Sequence, residues 1–159
     1  IIGSNENFYG GRLISMQLFT IGYEGIDIDS FVGRLKDNAI DCLLDVREMP
    51  FSYKRGFSKS PLAERLEREN IRYVHFRELG SPRPVRKELK ETGDYLTFFR
   101  KIEEYLDGKQ PVIEEAYRYV EGYTCCLMCF EHSVSQCHRK IVASKIKERD
   151  GNGLLVADI

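Results

Sequence analysis

The sequence predicts a single three-layer α/β domain, with a mostly parallel sheet of about five strands and helices on both faces. Three observations carry that expectation. Short apolar runs alternate with stretches of helical period, the order expected of strand–helix–strand units. The run Asp41-Cys-Leu-Leu-Asp-Val-Arg47 is continuously apolar in its middle, as in a strand covered on both sides by helices. The chain has 159 residues, 42% of them apolar, which suits one domain with a real core.

Taken in order, Gln17-Leu-Phe-Thr-Ile-Gly-Tyr23 reads as the first strand, stopped by Gly22 and Gly25. Asp27 or Asp29 then caps a helix whose apolar face is Ile28, Phe31, Val32 and Leu35. Residues 41–47 form the second strand. Met49 to Lys59 reads as a loop, and Ser60-Pro61 as a helix start running to Asn70. Ile71 to Phe76 is the third strand. Leu79-Gly-Ser-Pro-Arg-Pro84 is expected to be a rigid loop, because two prolines two apart oppose regular helix. Asp94 caps a helix with a stripe of Tyr95, Phe98, Phe99, Ile102, Tyr105 and Leu106. Pro111 opens another, with Val112, Ile113, Ala116, Tyr117 and Val120 on one side. The fourth strand spans 123–130, its helix about 137–150, and the last strand 154–159. Residues 1–15 are Gly/Asn/Ser-rich and aperiodic. They read as an expression remnant or a flexible N-terminal arm, leaving 16–159 as the domain.

No apolar run approaches the roughly 18 residues of a membrane helix, so no membrane partner is expected. Five cysteines, two of them adjacent on a strand, do not form a disulfide framework and predict a reducing, cytoplasmic setting. Net charge is −1, yet residues 47–90 hold 12 Lys/Arg against 6 Asp/Glu. That asymmetry suits a positive surface for nucleic acid, or equally a solvated helix face such as Glu64-Arg-Leu-Glu-Arg-Glu69.

Ligands of open α/β sheets bind beyond the carboxyl ends of strands. There the sequence places Tyr23 and Glu24 after the first strand and Asp45, Arg47 and Ser52 after the second. Arg55 and Gly56 follow in an aromatic and basic loop with Lys54, and Cys129, Glu131, Cys137, His138 and Arg139 follow the fourth. Arg47 and Arg139 are candidates for holding an anion, since a guanidinium fork matches phosphate or carboxylate. Asp45 and Glu131 are candidates for acid–base work or ligand orientation, with His138 as partner. Cys137, at a helix start, is a candidate nucleophile, because a helix N-terminus lowers a thiol's pKa. Cysteine phosphatases and rhodaneses share this layout but space cysteine and arginine by four or five residues. Here the intervals are nine and one. Zinc at Cys126-x-x-Cys129 with Cys137 and His138 is not expected either. Cys126 and Cys129 point to opposite faces of a strand, and Cys125 and Cys129 lie more than about 10 Å apart along it. No cofactor is predicted.

These motifs together resemble the family known as domain of unknown function 488 (DUF488). The resemblance rests on Thr20-Ile-Gly-Tyr-Glu-Gly25, Asp45-Val-Arg47 with Pro50 and Ser52, Gly56-Phe-Ser58, Leu79-Gly80, and Cys129-x-Glu131 followed by Cys137-His-Arg139. It implies a small soluble α/β domain with a shared site at these motifs, and no particular reaction. Two functions remain open at this stage, beside the reading of a purely structural cluster at a partner interface. One is a strand-end site, catalytic or not, for a phosphate-bearing small molecule or nucleic-acid phosphate. The other is a non-catalytic nucleic-acid-binding module that uses the 47–90 basic region.

Overall fold

The computed structural model describes residues 16–159, together with the backbone of Phe8–Tyr9 and Arg12–Leu13, which pair antiparallel. The expectation that residues 1–15 are a remnant or arm otherwise lies outside the described residues.

Five parallel strands form one sheet: β1 (Gln17–Gly22), β2 (Cys42–Asp45), β3 (Arg72–His75), β4 (Cys125–Cys129) and β5 (Leu155–Asp158). Their spatial order is β3-β2-β4-β1-β5. Six helices connect them: α1 (Ile28–Asp37), α2 (Lys59–Glu67), α3 (Arg83–Thr92), α4 (Tyr95–Asp107), α5 (Gln110–Gly122) and α6 (Arg139–Arg149). The chain steps from β1 to β2 to β3 toward one edge, then from β4 to β5 toward the other. Crossovers of one hand then place helices on opposite faces.

Two cores follow from this. Phe31, Val32 and Leu35 of α1 and Leu62 and Leu66 of α2 pack on Phe19, Ile21, Leu43, Cys126 and Met128. On the other face Phe98, Ile102, Ile113, Tyr117, Val142 and Ile146 cover Leu18, Leu44, Cys125 and Leu127. Alternate residues of β4 thus serve alternate cores, the period-2 consequence of a pleated strand. Each fully buried Leu or Phe contributes about 2–3 kcal/mol through area removed from water.

Local signals account for most element ends. Asp27 Oδ1 accepts from the Ser30 amide at 2.7 Å, and Asp94 does the same for Thr97 at 3.1 Å. Two expectations are corrected. First, α2 begins at Lys59 after Ser58, not at Ser60-Pro61. The Ser58 hydroxyl turns back instead, accepting from the Ser52 amide and donating to its carbonyl. Second, residues 83–84 do not stay in a loop. They open α3, with Pro82 as the residue before the helix and Pro84 inside its first turn, where a missing N–H costs nothing. Val85 and Leu89, one turn apart, anchor that otherwise polar helix to the core. Among the described residues, no helix is long and apolar enough to cross a membrane.

Connections leaving β1 and β2 go to one face and the connection leaving β4 goes to the other. Because β4 lies between β1 and β2, its carboxyl end stands in the crevice where chain direction reverses, the place where such sheets hold ligands.

Candidate functional site

Beyond β4 the chain runs through Phe130-Glu-His132, makes a short turn at Val134–Gln136 and returns as Cys137-His138 ahead of α6. Three features force that return. Tyr23 and Glu24 donate their amides to the carbonyls of Cys129 and Phe130 at 3.3 and 2.8 Å, prolonging the pairing past the strand ends. Gly22 leaves room for the Glu131 carbonyl, whose oxygen would lie 1.8 Å from any Cβ built there. Arg139, 0% exposed, donates to the carbonyls of Glu131 and His132 at 2.5 and 3.0 Å and to Asp158 Oδ1 at 3.1 Å. Arg139 is therefore a brace for this loop and does not reach the cavity described below. The guanidinium fork that suits phosphate suits two backbone carbonyls equally well. Glu24 is also a brace, its carboxylate accepting from the His132 amide at 2.9 Å.

The returning segment brings two thiols to one imidazole. His138 Nδ1 lies 3.7 Å from Cys129 Sγ and 3.8 Å from Cys137 Sγ. Its Nε2 is 2.8 Å from the Val46 carbonyl. A carbonyl only accepts, so Nε2 carries the hydrogen, and in the neutral ring the Nδ1 lone pair faces both sulfurs. Glu131 Oε2 completes the group at 3.1 Å from Cys129 Sγ.

Burial pushes the Cys137 thiol well above the usual range, reinforced by Cys129 and only partly opposed by His138. The raised thiol and its 1% exposure both run against the thiol-lowering effect expected of its place before a helix. Burial would lower His138, but contacts with Cys137, the Val46 carbonyl and Glu131 raise it instead. Burial would likewise raise Glu131, yet its own backbone amide, the two thiols and His138 together hold it below the ordinary carboxylate range.

A second buried group stands beside β2. Asp45, 0% exposed, accepts from Arg47 Nε at 2.9 Å, Arg47 NH2 at 2.6 Å, the Arg47 amide at 3.1 Å and the Tyr73 hydroxyl at 2.6 Å. Both of its oxygens are taken up by these bonds, which hold the Arg47 guanidinium in place. Arg47 further donates to Tyr23 Oη at 3.1 Å and the Phe57 carbonyl at 2.8 Å. Burial would lower its pKa, but the pairing with Asp45 raises it, so it stays charged.

Between the two groups opens a cavity of about 460 Å³. Cys129, Glu131 and His138 line it from β4, Tyr23 from β1, Arg47 and Ser52 from the β2 side, and Lys54 and Arg86 supply further cations. Met49, Phe51, Tyr53 and Phe130 form its apolar rim. Lys54 reaches across to the Tyr23 carbonyl at 3.1 Å, and Tyr23 stacks on Phe57 with centroids 4.4 Å apart. Gly56 turns this loop at φ +90°, backbone that favours glycine. Its side of the loop, with Arg55, faces a separate hollow between α1 and α2 lined by Ile28, Arg65 and Arg68.

Of the residues singled out in the sequence, six therefore meet at one cavity: Tyr23, Arg47, Ser52, Cys129, Glu131 and His138. Cys137 lies directly behind them. Asp45, Glu24 and Arg139 brace, while Arg55 and Gly56 point elsewhere. Sequence reasoning missed Arg86, on the unforeseen α3, where it pairs with Glu48 at 2.7 Å. The available signal was Leu79-Gly80: a Cβ at Gly80 would meet the Glu48 amide at 2.1 Å, so glycine lets the loop after β3 press onto the site.

A family model described as Domain of unknown function DUF488 matches residues 27–146. The chain belongs to the DUF488 family. The matched span contains the whole Asp45-to-Arg139 constellation, while Gly22 and Tyr23 lie just ahead of it. Neither a search of curated proteins nor a search of solved structures found a match.

Proposed function

We propose that the strand-end cavity of this DUF488 domain binds a phosphate-bearing small molecule of nucleotide size and acts on it. One observation carries this reading: Cys129, His138 and Glu131 converge at a cavity whose other wall carries Arg47 and Lys54. Its volume falls within the roughly 300–1,000 Å³ of small-molecule sites. Arg47 has one NH2 hydrogen left after its bonds to Asp45, Tyr23 and Phe57, and Lys54 keeps two of its three donors, so both can take an anion. Glu131 and His138 supply the acid–base pair beside the bound group.

Isothermal titration with inorganic phosphate and with a nucleoside monophosphate tests this. Lys54→Ala should weaken binding about tenfold, the effect of one charge-assisted hydrogen bond. If the wild-type chain takes up neither ligand at millimolar concentration, the reading is wrong.

A second reading, nucleic-acid binding, is favoured by one observation. Tyr53 is 99% exposed and meets Phe51 edge-on at 5.1 Å, beside Lys54 and Arg55, a platform on which bases can stack. Affinity for a single-stranded oligonucleotide should then fall steeply with salt and drop in Tyr53→Ala. A salt-independent response removes it.

A further inference from the structure

We infer that Cys129, Cys137 and His138 form a zinc site whose fourth side opens on the cavity. The ligand atoms of these three residues all lie within 4.8 Å of one another. Tetrahedral zinc, with bonds of about 2.3 Å to sulfur and 2.0–2.1 Å to nitrogen, separates a sulfur from a nitrogen ligand by about 3.6 Å. The two observed sulfur–nitrogen separations, 3.7 and 3.8 Å, need only a slight closing, and the two sulfurs lie within 4.8 Å of each other.

The imidazole is already in the form a metal requires. Its Nε2–H is donated to the Val46 carbonyl at 2.8 Å, so the lone pair at Nδ1 points to where both sulfurs converge. An outer hydrogen bond of this kind typically fixes the tautomer of a metal-binding histidine. The donor set, two sulfurs and one nitrogen, is soft, which selects zinc over magnesium or calcium. Charge balance also suits a buried place. Zinc displaces one proton from each thiol, so Zn²⁺ with two thiolates and a neutral imidazole carries no net charge. The Glu131 carboxylate, no longer hydrogen-bonded by the Cys129 thiol, is the remaining charge at the opening.

Access decides the type of site. Cys129 and His138 line the cavity and Cys137 closes the trio from behind, so the side without a protein ligand faces the space where a small molecule fits. Three protein ligands and one open position characterise catalytic rather than structural zinc. Glu131 Oε2, 3.1 Å from Cys129 Sγ, stands at that opening. The two remaining cysteines of β4 take no part, since Cys125 and Cys126 are buried in the opposite cores.

This inference uses the same cavity as the proposed function and, where zinc is bound, leaves the acid–base work to Glu131 alone, since both nitrogens of His138 are then committed. Its test does not depend on the anion. Purified chain, reduced and stripped with chelator, is titrated with Zn²⁺ and separately with Co²⁺. Metal content is read by elemental analysis and geometry by absorption. One equivalent should bind, and Co²⁺ should give a thiolate charge-transfer band with the strong visible absorption of tetrahedral cobalt. Cys129→Ser, Cys137→Ser and His138→Ala should each lose at least tenfold in affinity, with circular dichroism confirming that they fold. Cys126→Ala and Lys54→Ala should bind metal as the parent does. Absence of the charge-transfer band in the folded parent, or equal loss in Cys126→Ala, overturns the zinc site. Phosphate binding weakened about tenfold in Lys54→Ala with metal binding intact separates the two assignments.

Discussion

The two ends of β4 carry the same residue type and differ in everything else. At its start Cys125 and Cys126 lie across from Cys42 and Leu43 of β2, and from Leu18 and Phe19 of β1, each cysteine buried in one of the two cores. Contact with Cys42 and burial push Cys125 up, and burial, opposed by Arg139 and reinforced by Asp158, pushes Cys126 up. Both behave as small hydrophobes. At its end Cys129 faces Gly22, where the ladder stops and polar side chains from three strands converge. What separates packing from chemistry is therefore position along the strand. In the middle of a parallel sheet every neighbour is another strand or the apolar face of a covering helix. At its carboxyl end the neighbours are loops, and loops deliver the imidazole and the carboxylate.

The comparison can be broken from the top down. Asp45→Ala should have the largest effect, costing about 3–5 kcal/mol, because it leaves the buried Arg47 charge without its partner. Urea denaturation reads this, and a cost near zero would mean that Arg47 escapes to solvent. Gly22→Ala comes next at about 3 kcal/mol, since its methyl group and the Glu131 carbonyl cannot share one place. The same variant should displace the 129–138 loop and so lose metal. Wild-type stability would show that the loop is free to move. Cys126→Ala should cost only about 1–2 kcal/mol, the price of a small core truncation, and change no ligand property. An altered metal titration in this variant would erase the distinction between the two ends.

How much of this was legible in the sequence differs between fold and site. Alternating apolar runs, the caps at Asp27 and Asp94 and the α4 stripe are local patterns, and they predicted their elements correctly. Helix α3 was hidden because Pro82 and Pro84 read as breakers, whereas one precedes the helix and the other occupies its tolerant first turn. Strand order depends on which crossovers run which way, a property of no single segment. At the site, strand-end position alone gathered Tyr23, Arg47, Cys129, Glu131 and His138. The roles of Asp45 and Arg139 were not legible, because a charged residue that binds ligand and one that braces backbone have the same composition. Only burial tells them apart. Cys129, Cys137 and His138 were gathered by position, but that both thiols meet at one imidazole nitrogen was not legible. The partner that matters, Cys137, returns from a loop folded by Arg139.

The smallest expected effect calibrates the others, since it lies away from both ends of β4. The Ser30 amide and hydroxyl hold the Asp27 carboxyl below its ordinary value near 3.8. A carboxylate depressed in the native state stabilises above its unfolded pKa and loses that contribution as pH falls through the native one. Asp27→Ala should therefore lower stability slightly at neutral pH and flatten the decline below about pH 4. Identical acid limbs in the two proteins would show that the cap contributes nothing.

The central claim, that ligand chemistry belongs to the carboxyl end of β4, is tested most directly by amide NMR during titration with a nucleoside monophosphate. Perturbed resonances should cluster at Gly22–Glu24, Arg47, Lys54 and Cys129–Glu131, leaving Leu18, Cys125 and Cys126 unchanged. Shifts confined to the hollow of Arg55, Arg65 and Arg68, or none at millimolar ligand, would contradict it.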